Sequence, residues 1–167
     1  GYDADKVGEQ TITVTYGKEA TFTVTVIAAE LPFVDVSEDD WFYDAVYYNY
    51  FAGTMTGLND DHFGPTQSLA RAQFAVILYR MNDTPEVDYE AIFPDVEDGI
   101  WYTDAILWAA DTGVVTGYTD SGKFGPSDKI NREQMAVMMY RYAKYKEYDV
   151  SGSADISKYN DASSVND

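Results

Sequence analysis

The chain has 167 residues, with 29 acids against 11 lysines and arginines and a formal net charge of −18. That balance leaves no basic footprint for nucleic acid and disfavours an anionic membrane surface. Cysteine is absent, which excludes disulfides and thiolate–metal sites, while 46% hydrophobic and 16% aromatic residues argue against global disorder.

Residues 11–26 alternate polar and apolar with period two, Thr11-Ile12-Thr13-Val14-Thr15-Tyr16 and then Thr21-Phe22-Thr23-Val24-Thr25-Val26, around Gly17-Lys18-Glu19-Ala20. The pattern predicts a β-hairpin with one apolar face. A lone hairpin is marginal in water, so that face is expected to pack on something. The segment from Tyr2 to Val26 resembles the closing strands of bacterial immunoglobulin-like domains, and residues 1–29 read as the C-terminal hairpin of such a domain. No signal segment opens the chain, which reads as a piece of a longer protein. Ala28 to Pro32 reads as a linker.

From Phe33 onward the sequence says one thing twice. Phe33-Val34-Asp35-Val36, Trp41, Asp44-Ala45, Gly53 and Gly57 recur 60 residues later as Phe93-Pro94-Asp95-Val96, Trp101, Asp104-Ala105, Gly113 and Gly117. Beyond one inserted residue, Phe63-Gly64-Pro65, Arg71, Gln73, Ala75-Val76 and Tyr79-Arg80 return at an offset of 61 as Phe124-Gly125-Pro126, Arg132, Gln134, Ala136-Val137 and Tyr140-Arg141. A repeat of this period makes the structural unit smaller than the chain. Acids before the first turn and a glycine after the last predict a helix over 41–52 and another over 101–112. Turn-forming loops rich in Gly, Pro, Asn and Asp follow, and second helices open near Leu69 and Ile130. Asn131 with Gln134 forms a capping box; the first copy has Ala70 there, so its cap is missing or supplied by Ser68. Phe74, Ile77, Leu78 and Met81, like Met135, Met138 and Met139, follow helical spacing and are expected in the core. Boundaries fall at 30–85 for the first repeat and 86–146 for the second. Residues 147–167 are a connector and the start of a third copy, with Tyr159-Asn160-Asp161-Ala162 in register with Phe33 to Val36.

The ordered set Phe-x-Asp-Val, Trp, Asp-Ala, Gly, Gly, Phe-Gly-Pro and a helix opening as Leu69-Ala70-Arg71-Ala72-Gln73 or Ile130-Asn131-Arg132-Glu133-Gln134 resembles the S-layer homology module. The resemblance covers roughly residues 33–146. It implies a mainly α fold of tandem helix–loop–helix repeats, a pseudo-threefold bundle when three are present. It further implies a non-catalytic module that anchors an exported protein to secondary cell-wall polysaccharide, often through a pyruvylated sugar, outside a Gram-positive-type bacterium. The Thr of the usual Ile-Thr-Arg-Ala-Glu signature is Ala70 or Asn131 here, and its Glu is Gln73 or Gln134. Those departures and the incomplete third copy motivate a second reading, a structural module that contacts other surface-protein chains without binding glycan. A third is an accessory part of a secreted enzyme whose catalytic domain lies outside the segment.

Arg71 and Arg132 are the sharpest candidates for holding an anionic sugar, since a guanidinium presents a planar fork of donors to a carboxylate. The plainer role is a pairing with a neighbouring acid such as Asp35 or Asp95. Trp41 and Trp101 could stack on a sugar ring, although a tryptophan opening an amphipathic helix more often anchors the core. Gly57 and Gly117 serve backbone geometry first and ligand approach second; Asp35, Asp95 and Asp161 read most simply as turn or cap residues. The acidic loops lack the ligand run of a helix–loop–helix calcium site. His62, the single histidine, supports neither a zinc site nor a catalytic triad. No cofactor, catalytic dyad or membrane insertion is expected, and no apolar run approaches the roughly 20 residues that a bilayer requires.

Overall fold

The computed structural model describes residues 8–16, 18–26 and 29–160. Strands β1 (Gly8–Tyr16) and β2 (Lys18–Val26) pair antiparallel with Ile12 opposite Phe22 and Gln10 opposite Val24. Pairing runs to Tyr16↔Lys18, so Lys18, Glu19 and Ala20 extend the strand instead of forming the turn. The apolar face is uncovered: Phe22 is exposed and Ile12 and Val24 only half-buried. The expected packing of that face is not met among the described residues.

Among the described residues four helices follow: α1 (Tyr43–Phe51), α2 (Arg71–Arg80), α3 (Thr103–Asp111) and α4 (Arg132–Tyr145). The protein is mainly helical, two helices to each repeat. Helices α1 and α3 begin two residues later than the acid-plus-tryptophan signal predicts, because Asp40 to Phe42 and Ile100 to Tyr102 are turns, closed by Tyr43 N–H to Asp40 O and Thr103 N–H to Ile100 O. They end where expected, with Gly53 N–H donating to Tyr50 O and Gly113 N–H to Ala110 O.

Three of the repeated motifs meet in one clasp. In the first repeat the Asp35 carboxylate accepts from the backbone N–H of Phe63 at 2.8 Å and of Gly64 at 2.9 Å; in the second, Asp95 accepts from Phe124 at 2.9 Å and Gly125 at 2.8 Å. Both aspartates sit in turns, as the sequence suggests, but neither caps a helix; the carboxylate is spent on the clasp. They pin a loop some thirty positions away. Beside each clasp, Gly57 and Gly117 have positive φ, and a Cβ there would lie 2.7 Å from the Phe33 ring or 2.6 Å from the Phe93 ring. Glycine is required by the backbone and by the ring pressed against it.

The tightest helix pairing joins the two repeats: α2 packs on α3. Phe74, Ala75 and Leu78 of α2 meet Ile106, Trp108 and Ala109 of α3, with Phe93, Val96, Val114, Val115 and Phe124 beneath and Met138 and Tyr142 of α4 closing one side. Met81 and Met139 are exposed, contrary to the helical-spacing expectation, because Met81 lies past the last turn of α2 and Met139 on the outward face of α4. The end of α4 is tied back by Tyr142 Oη to Met81 O and by Lys146 Nζ to Asn82 Oδ1 at 3.0 Å.

Candidate carbohydrate-binding groove

A groove of about 560 Å³ opens where the two repeats meet. Its floor is apolar, built from Met55, Leu58, Phe63, Leu69, Val76 and Ile77; Thr54, Thr56, Gln67, Ser68 and Gln73 add hydroxyls and amides along the sides. Trp101, from the second repeat, forms one wall. Arg80, at the end of α2, is its only charged side chain among the described residues, and Arg80 Nη1 donates to Thr56 Oγ1 at 3.3 Å. Among the described residues no carboxylate lines this space, in a chain that has 29 acids. An aromatic plate, scattered hydroxyl and amide partners and one guanidinium with further donors to spare suit a sugar that bears a negative group.

Of the eight residues singled out in the sequence, the groove gathers two, Trp101 and Gly57. Arg71 is 6% exposed and faces away from it. Its Nε donates to Phe124 O at 2.9 Å, and its guanidinium carbon lies 4.6 Å from the Tyr118 ring centroid and 4.9 Å from that of Phe124. Backbone bonds reinforce this junction, Arg71 N–H to Asp128 O and Ala72 N–H to Pro126 O. Pairing of Arg71 or Arg132 with Asp35 or Asp95 does not occur; both carboxylates are taken by backbone N–H groups, and the one ion pair among the described residues is His62 with Asp61. Arg132, the copy of Arg71, is exposed. The tryptophans are not core anchors. Trp41 is 94% and Trp101 65% exposed, because both precede their helices on a turn that projects outward. Gly117, Asp35 and Asp95 shape the loops, and Asp161 lies outside the described residues.

The residue that sequence reasoning passed over is Arg80. It is repeated as faithfully as Arg71: Arg141, its copy, donates from Nη1 to Thr116 Oγ1 at the same 3.3 Å. The available signal was the doubling of both threonine and arginine at matched offsets, Thr56 with Thr116 and Arg80 with Arg141.

A second hollow of about 530 Å³ lies within the second repeat, lined by Asp95, Tyr102, Tyr118, Lys123, Asp128 and neighbouring loop residues. Its carboxylates are committed, Asp95 to the clasp and Asp128 to Tyr118 Oη at 2.9 Å. At the loop of the first repeat, His62 Nδ1 lies 2.6 Å from Asp61 Oδ1, and that partner raises the imidazole pKa above its ordinary value. The N–H of Phe63, helped by that of Gly64, holds the Asp35 carboxyl below the usual range against a smaller opposing effect of desolvation. Among the described residues no three His, Asp or Glu side chains converge as a metal site requires. No helix there is long and apolar enough to cross a membrane.

The profile of the S-layer homology domain matches residues 32–75 and 92–136, which together are more than half of the chain. An endoglucanase of Bacillus sp. (strain KSM-635) is 36% identical over 134 residues, covering 80% of this chain and 14% of the relative. An S-layer protein of Bacillus thuringiensis subsp. finitimus is 32% identical over 155 residues, covering 92% and 18%. Exoglucanase XynX of Acetivibrio thermocellus is 28% identical over 146 residues, covering 85% and 13%. The chain thus spans less than a fifth of the length of each of these relatives.

Proposed function

The chain belongs to the S-layer homology domain family, and we propose that its groove between the two repeats binds one anionic unit, pyruvylated or otherwise carboxylated, of a secondary cell-wall polysaccharide. The repeats are a non-catalytic, cell-wall-anchoring module, and their place is the surface of a Gram-positive-type bacterium. The observation that carries the proposal is the charge of the groove: one arginine and no acid among the described residues, in a chain whose net charge is −18. Arg80 would receive the carboxylate through the donors that Thr56 leaves free, and Trp101 would stack on the sugar ring. Gly57 lets the loop run close to the ligand. The relatives include glucanases and S-layer proteins alike. A module carried by both kinds of protein is best served by a ligand that belongs to the wall, not to an enzyme's substrate.

Co-sedimentation with purified wall polymer, native and after removal of its pyruvate, tests this. Arg80→Ala and Trp101→Ala should each weaken binding by about ten- to a hundredfold, corresponding to one charge-assisted bond or one stacked ring. Removal of the acidic group should reproduce the arginine effect and leave Arg80→Ala with no further loss. Unchanged binding by both variants would sink the assignment.

A further inference from the structure

Trp101 reaches the groove from a turn, not from a helix, and one side chain ties that turn together. Thr103, only 1% exposed, donates from Oγ1 to the carbonyl of Glu97, and the same oxygen accepts from the N–H of Ile100 at 3.1 Å. The backbone N–H of Thr103 returns to the carbonyl of Ile100 at 2.9 Å. Ile100 is thus bonded to Thr103 through both of its backbone polar groups, and only Trp101 and Tyr102 lie between them. The Trp101 ring meets the Tyr102 ring edge-on, with centroids 5.1 Å apart and planes at 75°. The first repeat closes the matching turn in another way. Tyr43 occupies the position of Thr103, and the Asp40 carboxylate takes the N–H of Ser37 at 2.8 Å. Trp41, carried on that turn, is 94% exposed and lines neither hollow among the described residues. The turn therefore forms without a threonine. The buried hydroxyl is found where the tryptophan faces a groove.

We propose that Thr103 is a positioning residue for ligand binding: its buried hydroxyl fixes the turn 97–103, so that Trp101 already stands as the groove wall before a sugar arrives. The consequence for binding rests on the glycan reading above; the fixing of Trp101 does not. Residues 97–100 are exposed. Without the hydroxyl, the carbonyl of Glu97 and the N–H of Ile100 turn to water, and the turn opens while α3 keeps its own backbone bonds. An indole that is free to leave the wall must be ordered again by the ligand, and that ordering costs affinity. Thr103 is not part of the groove lining and acts through Trp101.

Fluorotryptophan labelling is the direct test, because the chain has three tryptophans and single substitutions assign their fluorine resonances. Thr103→Val keeps the branched shape and loses the hydroxyl. In it the Trp101 resonance should narrow and move toward that of free indole, while the resonance of Trp108, buried in the core, stays in place. Thr103→Ser should leave both unchanged. Polymer affinity of Thr103→Val should fall by about three- to tenfold, the cost of ordering one side chain, and Thr103→Ser should restore it. In a Trp101→Ala chain the valine should cost nothing further, whereas a residue that merely held the fold would cost the same with or without the indole. Amide exchange of Ile100 in the unaltered chain needs no variant. Slow exchange is expected, and exchange as fast as that of an unstructured peptide overturns the proposal. So does an unchanged Trp101 resonance in Thr103→Val, or an equal loss of affinity in the Trp101→Ala chain. A loosened Trp101 in Thr103→Val, with polymer binding that ignores Trp101→Ala, would instead overturn the glycan reading and leave Thr103 as the residue that fixes the turn.

Discussion

Arg71 carries its charge into a nearly closed space between Tyr118 and Phe124, where it bonds a carbonyl and meets no carboxylate. Such a guanidinium holds two repeats together. Removing it opens a cavity and leaves the Phe124 carbonyl without its partner. Arg71→Ala should therefore lower unfolding stability by about 2–4 kcal/mol in urea denaturation, and Arg71→Lys should recover little, because a lysine offers no flat group to lie between two rings. Arg80→Ala should leave stability within about 0.5 kcal/mol while weakening polymer binding, since its side chain borders open groove. The two arginines are equally repeated, so repetition alone could not tell the one that joins from the one that is offered. That distinction depends on which repeat each side chain faces, and it appears only once α2 is seen on α3. His62 shows the same dependence on local partners. Its raised pKa means that the ion pair with Asp61 contributes stability that is fully present below the ordinary value of 6.5 and is lost as pH rises through the folded value. A proton-resonance titration should place the imidazole midpoint above 6.5, and Asp61→Asn should bring it down.

The two second helices solve the same end problem in different ways. Helix α4 uses its own sequence: Asn131 Oδ1 accepts from Gln134 N–H at 2.8 Å, and Gln134 Oε1 accepts from Asn131 N–H at 3.4 Å. Helix α2 begins at Ala70, which has no oxygen to offer. Gln73 Oε1 still accepts from Ala70 N–H at 2.8 Å, and the next two N–H groups are taken by Asp128 and Pro126 of the other repeat. Asn131→Ala should accordingly cost about 1 kcal/mol, and Ala70→Ser should gain about 0.5–1 kcal/mol by giving Gln73 N–H an acceptor, both read from urea midpoints. Both helices, the capping box of α4 and the glycine stops of α1 and α3 are legible in the sequence because they are local; the carbonyls that close the start of α2 are not. The outward turn that carries Trp41 and Trp101 is not, since acids ahead of an amphipathic run look alike whether the helix starts at the tryptophan or two residues later. The clasps of Asp35 and Asp95 are invisible for a related reason: their partners lie 28 to 30 residues away, and a lone aspartate before a valine resembles any turn.

At the scale of the molecule, charge opposes the partner proposed for the groove. A surface at −18 repels an anionic polymer, and Arg80 attracts it only at close range. These two forces respond differently to salt. The Debye length is about 30 Å at 0.01 M and about 8 Å at 0.15 M, so added salt removes the long-range repulsion while a contact of hydrogen-bond length is screened far less. Polymer affinity should therefore rise between those concentrations, the reverse of what a basic binding surface would show, and the gain should sit mainly in the association rate because steering is what changes. A calorimetric salt series on the polymer complex checks this. Arg80→Ala should keep the upward slope and lose affinity at every concentration, because the repulsion belongs to the whole surface and the attraction to one residue. Affinity that falls steadily with salt in the unaltered chain would mean that the polymer meets a local cationic surface far larger than this groove.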